Sequence, residues 1–198
     1  MKKKMFFGLV TVFTLSLFFA ACSEGIDNAS EDLALEQKSA ALAALDCPVC
    51  NFNTVLTEKE IEGLLWMREE EKVARDVYLT FYQLYGSLVF KNIAKSEQAH
   101  MDAILYLING YKLTDLASAE IGKFTPGFQT IYDGLIAEGK KGLKEALQVA
   151  VKIEVMDIAD LQTSVSETKV PNLVRVYNNL MAASKNHLKA FNFNLSKF

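Results

Sequence analysis

The chain is 198 residues long, about half of them hydrophobic (51%), with 24 acidic residues against 21 basic ones and only two histidines, His100 and His187. That length suits one domain with a substantial core. The acidic balance argues against a nucleic-acid partner, which demands a basic stripe.

The first element is an export signal. Lys2, Lys3 and Lys4 precede an apolar run from Met5 to Phe19, and Ala20 and Ala21 follow. A basic start, a short apolar stretch and a small-residue exit read as a secretory signal, too short and wrongly flanked for a stable spanning helix. Removing residues 1–21 takes the three lysines away, leaving 18 basic residues against 24 acidic ones, and the net charge moves from −3 to −6. Phe19-Ala20-Ala21-Cys22 resembles a bacterial lipobox, with Phe19 where an aliphatic residue is usual. That resemblance implies lipidation of Cys22 as the new N-terminus. The lipid would anchor an otherwise soluble domain to a membrane of the bacterial cell envelope, facing periplasm or cell surface. Plain cleavage near the alanines is the alternative.

Residues 22–54 read as a tether. Ser23–Asp46 is rich in Ala, Ser, Glu and Asp, and then comes Asp46-Cys47-Pro48-Val49-Cys50. In an exported protein a close cysteine pair is by default a disulfide. Redox or metal duty at Cys47 and Cys50 is the rival, but thioredoxin-type chemistry needs a βαβ context and a four-cysteine metal site needs a second pair.

From residue 55 to 195 the pattern is helical. Thr57-Glu58-Lys59-Glu60 is a capping-box signature that opens a helix running to Tyr85, where Gly86 stops it. A second helix spans Leu88 to Ile108 and ends at Asn109-Gly110. Thr125-Pro126 begins a short helix that ends near Gly139. Two more long helices run from about Gly142 to Thr163 and from about Pro171 to Leu195. Four long helices, each with an apolar stripe, predict an all-α four-helix bundle. The extra short helix falls in the connection between the second and third long ones.

The candidate chemistry lies near the middles of these helices. Glu97 and His100 stand at i, i+3, on one helical face and close enough to share a metal. Ile93, Ala94, Ile104, Leu107 and Ile108 lie along the same side, so the pair points inward, where a lone glutamate would be costly. The first helix brings Glu69-Glu70-Glu71, with Lys72, Arg75 and Asp76 behind. A charged solvated face must hold for some of these, since consecutive residues cannot share a face. Glu71 aligns with Met67, Ala74 and Tyr78, and Glu70 with Met67, Ala74 and Val77, so both are candidates. Glu154 and Asp157 sit inside the apolar run Val149–Ile158, and His187 lies between Leu180 and Phe191. Hydrogen-bonded core acids and a satisfied core histidine are the plain alternatives. Together, carboxylates with two imidazoles suit paired iron or manganese ions, hard oxygen donors with nitrogen to retain the metal. Helix levels agree tolerably for Glu71 with Glu97 and His100, and less well for Glu154 with His187.

With these residues assembled, the chain resembles the ferritin-like superfamily. Glu71-Lys-Val-Ala74-Arg75-Asp-Val-Tyr78 is similar to the first metal-ligand helix of rubrerythrins, which favours Glu71 over Glu70, and Ser96-Glu97-Gln-Ala-His100 to their second. Closer still, residues 63–78, 90–100, 153–158 and 184–188 resemble an uncharacterised ferritin-like family known only as a domain of unknown function. The resemblance covers about residues 55–193. It implies the bundle fold and a metal site held by Glu71, Glu97, His100, Glu154, Asp157 and His187, with one or two ions of iron or manganese, zinc being possible. The departure is Ser184, where ferritin-type proteins carry a second Glu-x-x-His glutamate; Asp157 is placed to compensate. The implied activity is oxygen or peroxide reduction or ferrous-iron oxidation, a reductase cycle needing an external electron donor. A membrane, a small oxidant or metal ion, and a second copy of the chain are the candidate partners. The contrasting reading is a non-catalytic helical envelope lipoprotein, metal-free or with a structural metal.

Overall fold

The computed structural model describes residues 51–198, so Cys22, Cys47, Cys50 and the signal segment lie outside the described residues. Among the described residues there are five helices and no strands: α1 (Glu58–Tyr85), α2 (Leu88–Gly110), α3 (Pro126–Gly139), α4 (Leu143–Glu167) and α5 (Pro171–Leu195). None is long and apolar enough to cross a membrane.

Local chemistry sets the ends. Thr57 caps α1 reciprocally with Glu60: the Glu60 amide donates to Thr57 Oγ1 at 3.3 Å, and the Thr57 amide donates to Glu60 Oε2 at 2.8 Å. Gly86 ends α1 at φ 67°, a left-handed conformation that glycine takes without steric cost. Pro126 and Pro171 open α3 and α5, where a missing amide proton costs nothing. The third long helix continues to Glu167, beyond the expected stop near Thr163, so Glu154 sits further from its end and nearer the level of His187.

The four long helices pair as two hairpins, α1 with α2 and α4 with α5, which meet through α1–α4 and α2–α5 while α3 lies against α1 and α4. The core is layered. One apolar cluster gathers Val77, Phe81, Phe90, Ile93, Ala146, Ala150 and Phe191. A second gathers Leu64, Met67, Ile104, Leu107, Leu161, Leu173 and Leu180. In each long helix the stretch between its contributions to the two clusters carries buried polar residues: Glu71, then Glu97 and His100, then Glu154 and Asp157, then Ser184 and His187. A polar layer therefore runs through the middle of the molecule with apolar packing on both sides.

The charged run behind Glu71 is only partly the solvated face that the sequence predicts. Lys72 and Asp76 are fully buried and paired at 2.6 Å, one turn apart. Lys72 also donates to the Glu120 carbonyl at 2.9 Å and lies 3.9 Å from the centre of the Phe124 ring. Asp76 accepts from the Gly122 amide at 2.9 Å, and Arg68 holds Asp115 at 3.0 Å and the Met101 carbonyl at 2.9 Å. The reason is the connection between α2 and α3, which folds back over α1 and covers that face. Glu69 is buried as well, so two of the three consecutive glutamates are inside, on different sides of α1.

Candidate metal centre

Each helix delivers its polar residues to the central layer by helical period. Glu97 and His100 share one face of α2, and Glu154 and Asp157 one face of α4. Two triads result, Glu71–Glu97–His100 and Glu97–Glu154–His187, each with its donor atoms within 4.8 Å of one another and all residues buried. Glu97 belongs to both. His100 Nδ1 lies 2.7 Å from Glu97 Oε2 and 3.1 Å from Glu71 Oε2. His187 Nδ1 lies 2.9 Å from Glu97 Oε1 and 3.5 Å from Glu154 Oε2. The two oxygens of one carboxylate thus face different imidazoles, and the imidazole rings stack with centroids 5.4 Å apart and planes at 23°.

Further contacts hold the second triad from behind. Tyr78 donates its hydroxyl to Glu154 Oε1 at 2.6 Å, and Ser96 Oγ lies 3.0 Å from His187 Nε2. Neither contact is foreseen by the ligand spacing, because both come from helices other than the one carrying the ligand. Ser184 is buried and donates to the Leu180 carbonyl at 3.0 Å. Ser184 lies close enough to Asp157 to offset part of the rise that burial imposes on that carboxyl. Asp157 joins neither triad.

The electrostatics describe a site short of positive charge. Burial raises Glu71 to about 7 against the pull of His100. Glu154 is raised by burial, with His187 opposing, and Asp157 is held well above the carboxylate range by burial and then by Glu71, Glu70 and Glu154. Glu97 alone moves down: burial opposes ionisation, but His187 and His100 together outweigh it. The imidazoles answer in kind. Burial would lower both, yet Glu71 and Glu97 push His100 well above its usual value, and Glu97 and Glu154 push His187 to about 9.

Several of these donors fit a cation. Glu71 Oε1, Glu97 Oε1, His100 Nε2 and His187 Nδ1 are buried without a hydrogen-bond partner. His187 Nδ1 and Glu97 Oε1 approach to 2.9 Å but are not aligned to share a proton. Two donors bound at right angles to one ion, each about 2.1 Å from it, would stand about 3 Å apart. Close but unaligned donors leave room for a shared cation, and four buried carboxyls against two imidazoles make neutralisation by cations favourable.

Glu70, the rival of Glu71, faces elsewhere. It accepts from Trp66 Nε1 at 3.1 Å, and burial together with the neighbouring Asp160 holds its carboxyl well above the usual range.

An all-helical frame with a buried layer of carboxylates and imidazoles defines a helical protein with metal-ligating potential at its centre. Residues 60–197 match the family described as an uncharacterised protein domain, DUF2202, and the chain belongs to that family. It is similar to the uncharacterised protein MJ0754 of Methanocaldococcus jannaschii, 47% identical over 138 residues, covering 69% of this chain and 75% of that protein. It is also similar to the crystal structure of the hypothetical protein MJ0754 from Methanococcus jannaschii, with a TM-score of 0.72 and 45% identity over 73% of this chain and 84% of that one.

Proposed function

We propose that the domain is a ferritin-like four-helix bundle that holds two transition-metal ions, iron or manganese, in an exported, lipid-anchored protein of the bacterial envelope. The single observation that carries the metal reading is Glu97, whose two oxygens serve two triads, each with its own histidine. A carboxylate between two imidazoles, with one further carboxylate on each side, is a donor set that would suit two ions, with Glu97 available to both. Glu71 and His100 would hold one ion, Glu154 and His187 the other, and Asp157 lies beside them as a reserve of negative charge. Bound there, such ions supply Lewis acidity and electrons exchangeable with oxygen or peroxide.

The chain's own groups prepare the site. Ser96 orients the His187 ring through Nε2, leaving Nδ1 directed at Glu97 and Glu154. Tyr78 keeps its proton at every ordinary pH, because burial and then Glu154 and Glu97 raise it well above its usual value, so it remains a donor to Glu154. The apolar clusters above and below exclude water from the layer. Reduction of oxygen or peroxide, with an external electron donor, or oxidation of ferrous iron is the chemistry this favours. The lipobox-like sequence Phe19-Ala20-Ala21-Cys22 is what supports lipidation of Cys22 and, with it, the envelope location.

A non-catalytic helical module is the second reading. It is favoured by the pairing of Glu97 with two imidazoles that the neighbouring carboxylates keep protonated against the pull of burial, an arrangement that is self-sufficient without metal. Metal analysis with a visible spectrum separates the two. Protein purified without chelator should hold close to two ions per chain, and Glu97→Ala should hold almost none. Metal-free wild type that melts at the same temperature with and without added ferrous or manganous ion would favour the second reading. Labelling with a radioactive fatty acid, abolished by Cys22→Ser, tests the anchor.

A further inference from the structure

Outside the central layer, α1, α3 and α4 line a half-open cleft with a cavity of about 400 Å³. That is within the range of small-molecule sites, which combine apolar walls with a few convergent polar groups. One wall is aromatic: Trp66 and Phe128 meet with ring centroids 4.6 Å apart. Ile131, Leu135 and Met156 extend the apolar surface, and Trp66 and Met156 remain about half exposed (48% and 46%) although they are large and hydrophobic. The polar groups are mostly acids. Glu70 and Asp160 meet side chain to side chain, and Trp66 donates to Glu70 at 3.1 Å. Glu138 reaches Lys152 only at 3.7 Å, with both largely exposed. The lining thus carries three carboxyls against one ammonium.

We propose that this cavity is a binding site for a small organic amine, with the ammonium seated on Glu70 and Asp160 and an apolar or aromatic body against Trp66, Phe128 and Met156. Charge selects the class. An anionic ligand would meet three carboxyls, and a purely apolar one would cover the Glu70–Asp160 pair while offering it no donor beyond Trp66. An ammonium satisfies both acids and lies within reach of aromatic faces that attract cations. The site does not depend on ions at the central layer. Glu70 and Glu71 are consecutive on α1 but face the cavity and the triad respectively, so the two sites share a helix and not a donor.

Trp66 is the chain's only tryptophan, so its emission reports on this cavity alone. Titration of the full protein with phenethylamine should change that emission saturably. 3-Phenylpropionate, of similar shape and opposite charge, should bind at least tenfold more weakly. Glu70→Gln with Asp160→Asn should remove the preference for the amine, and Met156→Lys, which places a cation at a half-exposed position of the wall, should abolish amine binding. Metal content should stay unchanged in all three proteins. Equal affinity for amine and acid, a preference that survives Glu70→Gln with Asp160→Asn, or no saturable response to phenethylamine would overturn the proposal. Loss of metal together with amine preference would also overturn it, by returning the two acids to the central layer.

Discussion

His100 and His187 stack 5.4 Å apart at the same depth, yet their surroundings differ. On the α1–α2 side, His100 Nδ1 has two carboxylate oxygens within 3.1 Å, and its Nε2 meets no partner. On the α4–α5 side the nearest oxygens stand at 2.9 and 3.5 Å, and the positions are fixed from outside by Ser96 and Tyr78. The first half is held by its own ligands, whereas the second is held by groups that support the ligands. The absent glutamate at Ser184 falls on this second side. An ion there would rely on orientation imposed by neighbours, and it should be the weaker and more easily exchanged of the two.

Removing one histidine breaks the comparison most directly. His100→Ala and His187→Ala should each lose about one ion of two by metal analysis, and the ion left in His100→Ala should come off at the lower chelator concentration. Equal chelator sensitivity in the two variants would show that the halves are equivalent.

The next effect is on pH. In the metal-free protein His187 is raised to about 9 from an unfolded value near 6.5. The stability this gives is complete below about pH 6.5 and is lost as pH rises through 9. His100 shifts in the same direction. Glu71, raised to about 7, adds a penalty for ionisation that grows from about pH 4.5 to 7. Glu97, shifted down, contributes the opposite slope, but only below about pH 4.5. The melting temperature of metal-free protein should therefore fall from about pH 5 to 9, whereas the increase produced by added metal should grow, since binding displaces protons from the histidines. A flat profile for metal-free protein would refute the strong coupling between imidazoles and carboxylates.

Smaller changes sharpen the difference between the halves. Tyr78→Phe leaves Glu154 Oε1 without its donor and should cost about 1 kcal/mol, or about 3 °C in a domain of this size. Its metal loss should be confined to the weaker ion. Ser96→Ala should cost about 0.5 kcal/mol and loosen the same ion without affecting the other. Calorimetry combined with chelator titration reads both effects.

Much of the frame was legible because its signals are local. The Thr57 capping box, Gly86, Pro126 and Pro171 mark helix ends by backbone chemistry that needs no tertiary context. Glu97 and His100 were legible as a pair because i, i+3 spacing fixes a common face. The burial of Lys72 and Asp76 was not legible, since it depends on a connection that folds back from beyond α2. The Ser96–His187 and Tyr78–Glu154 contacts were hidden for the same reason: each joins residues far apart in the chain. Asp160, unremarkable beside the apolar residues of α4, gained a role only when Glu70 turned out to face it rather than the centre.

The two-ion reading is tested most directly by anomalous diffraction from crystals of the domain grown with manganous or ferrous ion. Two peaks are predicted, one among Glu71, Glu97 and His100 and the other among Glu97, Glu154 and His187, with the second of lower occupancy. An absence of peaks in the central layer, or a single peak not in contact with Glu97, would contradict a shared carboxylate bridging a metal pair.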